Sequence, residues 1–261
     1  MMINALDVHI LEDIGTITLN RPGKHNAITQ AMWRALPTAI EHLIHAPRVR
    51  LIILRGAQPD FAAGADIAEF DSVYADRASA AAYAALIEAS MAAITACPKP
   101  VLAAVSGLCI GAGVALTLAT DLCFADETAS FAITPAKLGI AYSFSDTRRL
   151  VTRVGAANAR DLLFTARRID AAEALSMGLI HRLCSPAALD QDIGAYATRI
   201  VTASPASIAV AKSFVARATG GLVTEDETTR AAYLDILQGP DFAEGLAAFK
   251  AKRRPNFQNT P

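Results

Sequence analysis

The sequence predicts an α/β core followed by a helical C-terminal portion. Over the first two-thirds, short apolar strand-like runs alternate with longer stretches of helical periodicity. From Asp146 onward the pattern is almost wholly helical. Residues 49–54 (VRLIIL) and 101–105 (VLAAV) read as buried strands of a sheet covered on both faces.

Residues 8–11 and 16–20 read as a hairpin turning near residues 13–15. Thr29 is placed to cap a helix running to about His45, with Met32, Leu36, Ile40 and Leu43 at helical spacing. Residues 78–96 form an alanine-rich helix stopped by Pro98 and Pro100. After the strand at 101–105 comes a glycine turn at 107–113, and a second helix runs from it to Thr120. Residues 122–125 and 130–133 are short strands. The C-terminal part reads as helices at 156–164, 171–177, 187–203, 205–218, 224–237 and 241–252, with one strand at 179–183. The expected division is a core of residues 1–198 and a helical region of residues 199–261.

Composition narrows the function classes. Of 261 residues, 53% are hydrophobic and 19% charged, which excludes a disordered chain and leaves ample side chain for a core. With 24 basic and 25 acidic residues there is no global field to draw nucleic acid or a membrane surface. No uninterrupted apolar run reads as long enough to span a bilayer; residues 92–113 come closest, broken by Lys99, two prolines, Ser106 and Gly107. Residues 1–10 lack the basic and long apolar regions of a signal peptide, so a cytoplasmic protein is expected. Cys97, Cys109, Cys123 and Cys184 show no CxxC and no metal-type spacing, and read as reduced core thiols. No metal site is expected.

Two glycine-containing turns carry the chemistry: residues 61–67 (FAAGADI) and 107–113 (GLCIGAG), each after a strand. Small residues let a ligand approach the backbone and leave amide N–H groups exposed. A helix starting at Gly111–Gly113 adds its positive dipole end. Two such donors converging on one point make an oxyanion hole, suited to a carbonyl that becomes an enolate. Each turn on its own also reads as an ordinary strand-to-helix connection. A dinucleotide loop fits less well, because the order is GxxxGxG rather than GxGxxG and no Walker lysine follows.

Six segments in order complete the reading: 16–28 (TITLNRPGKHNAI), 61–70 (FAAGADIAEF), 98–121 (PKPVLAAVSGLCIGAGVALTLATD), 130–139 (SFAITPAKLG), 166–180 (ARRIDAAEALSMGLI) and 249–257 (FKAKRRPNF). Together they resemble the crotonase superfamily, the enoyl-CoA hydratase/isomerase family, over nearly the whole chain. The resemblance implies a spiral of ββα turns with a C-terminal helical trimerisation region, trimers often pairing into hexamers. It also implies an acyl-CoA thioester substrate and no cofactor beyond the coenzyme A that the substrate carries. By motif, the carbonyl donors are the N–H groups of Ala65 and Ala112. CoA contacts are expected from Lys24, from Ala63, Gly64, Ala65, Asp66 and Ile67, from Gly111, and from Phe249 and Lys252, the last two reaching a neighbouring subunit's ligand. Lys252 also reads as part of a solvated basic end with Lys250, Arg253 and Arg254.

The chain departs from the family at the acid/base positions. Hydratases of this family use two glutamates; the matching positions here are Ala115 and Pro135, and neither can move a proton. Residues 134–142 (TPAKLGIAY) resemble methylmalonyl-CoA decarboxylases, where proline also replaces the second glutamate and a tyrosine follows the glycine by three, here Tyr142. Those enzymes often carry histidine where this chain has Ala65, and some retain the first glutamate. Decarboxylation needs an enolate stabilised and a proton supplied, but no general base. Tyr142 also reads as a packed core residue. Asp146 is the other catalytic candidate; it reads equally as the cap of a helix beginning at Thr147, or as a partner of Arg148 or Arg149. The expectation is an enzyme, a lyase with decarboxylase-like chemistry. The alternatives are a divergent 2-enoyl-CoA hydratase/isomerase and a non-catalytic acyl-CoA-binding protein.

Overall fold

The computed structural model describes residues 1–3 and 5–257. In chain order the elements are β1 (Met2–Ile3), β2 (Leu6–Leu11), β3 (Ile14–Leu19), α1 (Gln30–His45), β4 (Leu51–Gly56), α2 (Phe70–Val73) and α3 (Arg77–Ala96). They continue with β5 (Val101–Val105), β6 (Leu108–Ile110), α4 (Ala112–Ala119), β7 (Leu122–Asp126), β8 (Ser130–Ala132), α5 (Pro135–Leu138) and α6 (Phe144–Thr165). The chain closes with β9 (Arg168–Asp170), α7 (Ala171–Ser176), β10 (Arg182–Cys184), α8 (Leu189–Val201), α9 (Pro205–Thr219), α10 (Glu227–Ile236) and α11 (Pro240–Lys250).

The strands form a seven-stranded sheet, β1-β2-β3-β4-β5-β7-β10, and a three-stranded sheet, β6-β8-β9. From β3 to β10 the large sheet is parallel, with Ile17 opposite Leu54, Leu54 opposite Ala103 and Ala103 opposite Cys123. The spiral follows from this pairing. In β5-β6-α4 and β7-β8-α6, one strand joins the large sheet, the next joins the small one, and a helix returns the chain. An isolated bridge from Ala62 to Cys109 extends the small sheet by one more turn of the spiral.

The unbroken apolar run of β5 has a direct cause. Val101, Ala103 and Val105 pack into the main core with α1, whereas Leu102 and Ala104 point to the other face and pack with Leu51, Phe124 and the α8 residues Leu189, Ile193 and Ala197. A strand covered on both faces has no position left for a polar side chain. Helix α1 starts as expected: the Thr29 hydroxyl accepts from the Met32 N–H, and Met32, Leu36, Ile40 and Leu43 are buried.

Several expectations are corrected. The 107–113 turn contains β6, a strand hard to see because only three residues separate Gly107 from Gly111. The polar strand β9 was missed because only Ile169 of its three residues is buried. Leu179 and Ile180 are buried but precede β10 rather than belong to it. The helix read at 156–164 is the second segment of α6, which begins at Phe144, three residues before the alternative start at Thr147; non-helical Gly155 (φ 77°) separates the two segments. The expected boundary at 198/199 falls inside α8, which packs on β4 and β7; residues 258–261 of the expected helical region lie outside the described residues. By length and composition α3 is long and apolar enough to cross a bilayer, although charged and polar residues interrupt its apolar run. In the fold, α3 packs on α1 and buries Tyr83, Ser90, Met91 and Ile94.

Helices α9–α11 attach through polar struts. The Lys212 ammonium donates to Asp121 at 2.7 Å and to the Lys99 carbonyl at 3.1 Å, and Arg50 donates to the Ala203 carbonyl at 3.0 Å. Every residue of α9 keeps some solvent exposure.

All four cysteines are free and buried. Burial pushes the Cys123 thiol up to about 12 and, with Asp192 adding to it, the Cys184 thiol up to about 11; Cys97 and Cys109 move the same way, also through burial. Thiols held above the solution pH stay protonated and unreactive. Iodoacetamide at pH 8 is therefore expected to leave the native protein unmodified and to label all four cysteines after unfolding. Rapid labelling of the native protein, read by mass spectrometry, would contradict this.

Candidate active site

The first glycine turn is held rigidly from beneath. Asn26 is fully buried; its side-chain amide donates to the carbonyls of Ala57 and Asp60, and its oxygen accepts from the Arg21 N–H. The Ala63 N–H donates to the His25 carbonyl, and Arg21 pairs with Asp66 at 2.9 Å. Residues 28 and 65 form a parallel bridge, in which the Ile28 N–H donates to the Gly64 carbonyl (2.8 Å) and the Asp66 N–H donates to the Ile28 carbonyl (2.9 Å). Bonding through the two flanking residues turns the N–H of Ala65 away from the bridge, and it has no acceptor among the described residues. Gly64 permits this with φ +110°, a conformation that side chains disfavour.

The second turn delivers a matching donor. Gly111 donates its N–H to the Ala132 carbonyl and adopts φ 52°, ψ −105°, reversing the chain into α4. The Leu108 carbonyl, four residues before Ala112, is taken by the Ala62 N–H at 2.8 Å. Ala112 is the first residue of α4, so its N–H is one of the orphan donors of a helix start and has no acceptor among the described residues. The helix dipole places partial positive charge at the same end.

Ala65 and Ala112 line one cavity of about 310 Å³, within the range that holds small-molecule ligands. Ala63, Gly64, Ile67, Gly111, Tyr142 and Asp146 line it too. The Tyr142 hydroxyl donates to the Gly111 carbonyl at 3.3 Å, immediately before the Ala112 donor. Burial, reinforced by the neighbouring Asp146 charge, holds the Tyr142 phenol well above its ordinary value, so it stays protonated.

Asp146 is not a helix cap. Ser143 caps α6, its hydroxyl oxygen accepting from the Asp146 N–H at 3.0 Å. The Asp146 carboxylate instead accepts from the Ser143 hydroxyl at 2.7 Å and from Arg149 at 2.9 Å, so both its oxygens are engaged. Ala115 and Pro135 also line the cavity, and they offer no ionisable group there.

Four expected CoA contacts lie outside the cavity lining. Asp66 braces the loop through Arg21 and caps the turn at Ile67–Glu69. Lys24 is exposed, Phe249 is 82% exposed on α11, and Lys252 is exposed with φ 52°. Sequence reasoning missed Tyr83 and Glu88, which reach the cavity from α3, and Arg149 from α6. The signal was present: Ala80, Tyr83, Ala84, Ile87, Glu88 and Met91 fall three and four apart along an otherwise alanine-rich helix.

Fold and cavity together define an α/β spiral protein that presents unpaired main-chain donors to a small-molecule site. The enoyl-CoA hydratase/isomerase family profile matches residues 9–260. The chain is 32% identical over 251 residues to the crotonyl-CoA hydratase of Syntrophomonas wolfei, covering 94% of this chain and 95% of that one. It is also 32% identical to the peroxisomal Delta(3,5)-Delta(2,4)-dienoyl-CoA isomerase of Arabidopsis thaliana, covering 92% and 91%. The crystal structure of an enoyl-CoA hydratase/carnithine racemase from Magnetospirillum magneticum superimposes with a TM-score of 0.94 at 33% identity, covering 98% and 96%. This chain belongs to the enoyl-CoA hydratase/isomerase family, within the crotonase superfamily. It is an acyl-CoA enzyme of that family.

Proposed function

We propose that the protein is a decarboxylase-like lyase that polarises an acyl-CoA thioester between the N–H groups of Ala65 and Ala112. The carrying observation is the pairing of these unpaired donors with a protonated Tyr142 hydroxyl at Gly111, while Asp146 is occupied by Ser143 and Arg149. In this reading the C–C bond to a 2-carboxylate breaks and carbon dioxide leaves. The electron pair flows into the thioester as an enolate, which the two N–H groups stabilise. The enolate carbon then takes a proton supplied through Tyr142. The reaction needs no metal or cofactor beyond the substrate's own coenzyme A.

Incubation with methylmalonyl-CoA and, separately, crotonyl-CoA tests the reading, with products identified by mass spectrometry. Loss of carbon dioxide from the first is expected. A second reading, a divergent hydratase/isomerase, is favoured by the names of the relatives and by Glu88, a carboxylate in the cavity lining whose side chain makes no hydrogen bond or ion pair among the described residues. Gain of water on crotonyl-CoA that is abolished in Glu88→Gln would establish it instead. Binding of both thioesters without product would favour a non-catalytic binder.

In the proposed assembly, α9–α11 join copies into a homotrimer or a hexamer. Support comes from apolar side chains that remain exposed in the single chain, including Val215 (64%), Val223 (95%), Tyr233 and Leu234 (52% each) and Phe249 (82%). Lys24, Phe249 and Lys252 then serve the CoA moiety, the last two at a neighbour's site. Light scattering on the purified protein is expected to give three or six times the 27.4 kDa chain mass; a monomer at micromolar concentration would contradict the assembly. The proposed location is the cytoplasm, a compartment that suits four free thiols.

A further inference from the structure

Tyr83 raises a question of hydrogen-bond accounting. It is 3% exposed yet lines the cavity. Its hydroxyl oxygen accepts from the Trp33 indole N–H at 3.3 Å, and its own proton goes to no described residue. Indole nitrogen can only donate, so Trp33 cannot take that proton. Buried hydroxyls find acceptors, and the side chain that carries this one borders the cavity.

The surroundings hold the group in place. Trp33 is fully buried, and its carbonyl accepts from the Ser90 hydroxyl at 2.7 Å, tying α1 to α3 beside the pair. The Tyr83 ring meets Tyr74 edge-on, with centroids 5.8 Å apart. Burial pushes the Tyr83 phenol up to about 12, so it is a donor at any working pH. Of its α3 neighbours in the lining, Ala80, Ala84, Ile87 and Met91 are apolar, and the Glu88 carboxylate makes no hydrogen bond to the Tyr83 hydroxyl. A plain alkyl chain lying against this wall would leave the Tyr83 proton unpaired, which costs more than an ordinary lost contact.

We propose that Tyr83, oriented by Trp33, is a specificity-determining donor to an oxygen on the acyl group, so that the preferred substrates are acyl-CoA thioesters bearing a hydroxyl, carbonyl or carboxylate oxygen beyond the thioester. This rests on the acyl-CoA reading above and names the substrate class for that site.

The test is titration calorimetry of the full-length protein with hexanoyl-CoA, 4-hydroxyhexanoyl-CoA, 5-oxohexanoyl-CoA, 6-hydroxyhexanoyl-CoA and adipoyl-CoA. At least one oxygenated thioester is expected to bind about tenfold more tightly than hexanoyl-CoA. In Tyr83→Phe that advantage should vanish while hexanoyl-CoA binding is retained. Trp33→Phe, which keeps the hydroxyl but removes its orienting donor, should reduce the advantage at least threefold and serves if Tyr83→Phe does not fold. Equal binding of all five thioesters, or an advantage that survives both substitutions, overturns the inference while leaving the acyl-CoA reading intact. Failure of every thioester to bind overturns both.

Discussion

Ala112→Pro is expected to lower kcat/KM by about 10²-fold or more while the protein still folds. The substitution is selective because Ala112 is the first residue of α4, where proline is well tolerated. Among the described residues its N–H makes no hydrogen bond, so no such bond is lost with it. Gly111 has no Cβ to clash with the proline ring. On the proposed reading, what disappears is one of two donors to the thioester oxygen, and removal of one such donor costs about 3 kcal/mol of transition-state stabilisation. The check is steady-state kinetics beside a thermal melt. Full activity with an unchanged melting temperature would remove Ala112 from the oxyanion hole.

Tyr142→Phe is expected to lower kcat by about 10²-fold with thioester affinity changed by less than about threefold, as for loss of a general acid. Only the hydroxyl is removed, and its partner, the Gly111 carbonyl, still accepts from the Ala115 N–H. The pH profile adds a second check with a definite sign. A phenol is an acid in its protonated form, and that form persists up to its pKa. Because burial holds Tyr142 well above its ordinary value, wild-type kcat should show no alkaline loss from this group up to about pH 10. Unchanged turnover in Tyr142→Phe would leave Tyr142 a packing residue.

The α/β core was legible because its strands are buried on both faces, and β5 announces that with five consecutive apolar residues, whereas the spiral was expected from the family resemblance alone. The two glycine turns were legible for a related reason: closely approaching backbones require small residues, and Gly64 and Gly111 sit at positive φ where the loops turn. Asp146 was misread as a possible cap because aspartate and serine cap equally well, and Ser143 stands three residues earlier. The α3 wall stayed hidden because contributions from Tyr83 and Glu88 depend on how α3 docks against α1. That packing is a tertiary fact, and an alanine-rich helix has a weak amphipathic signal to announce it. Charge pairing hid Asp146 in the same way, since its choice between Arg148 and Arg149 depends on which helix face turns inward.

On the proposed reading, the donors of Ala65 and Ala112 stabilise an enolate left by departing carbon dioxide. Turnover of methylmalonyl-CoA in D₂O, followed by mass spectrometry of the thioester product, tests it most directly. Propionyl-CoA carrying one deuterium at C2 is expected. Unchanged methylmalonyl-CoA, from the same preparation that adds water to crotonyl-CoA, would contradict it.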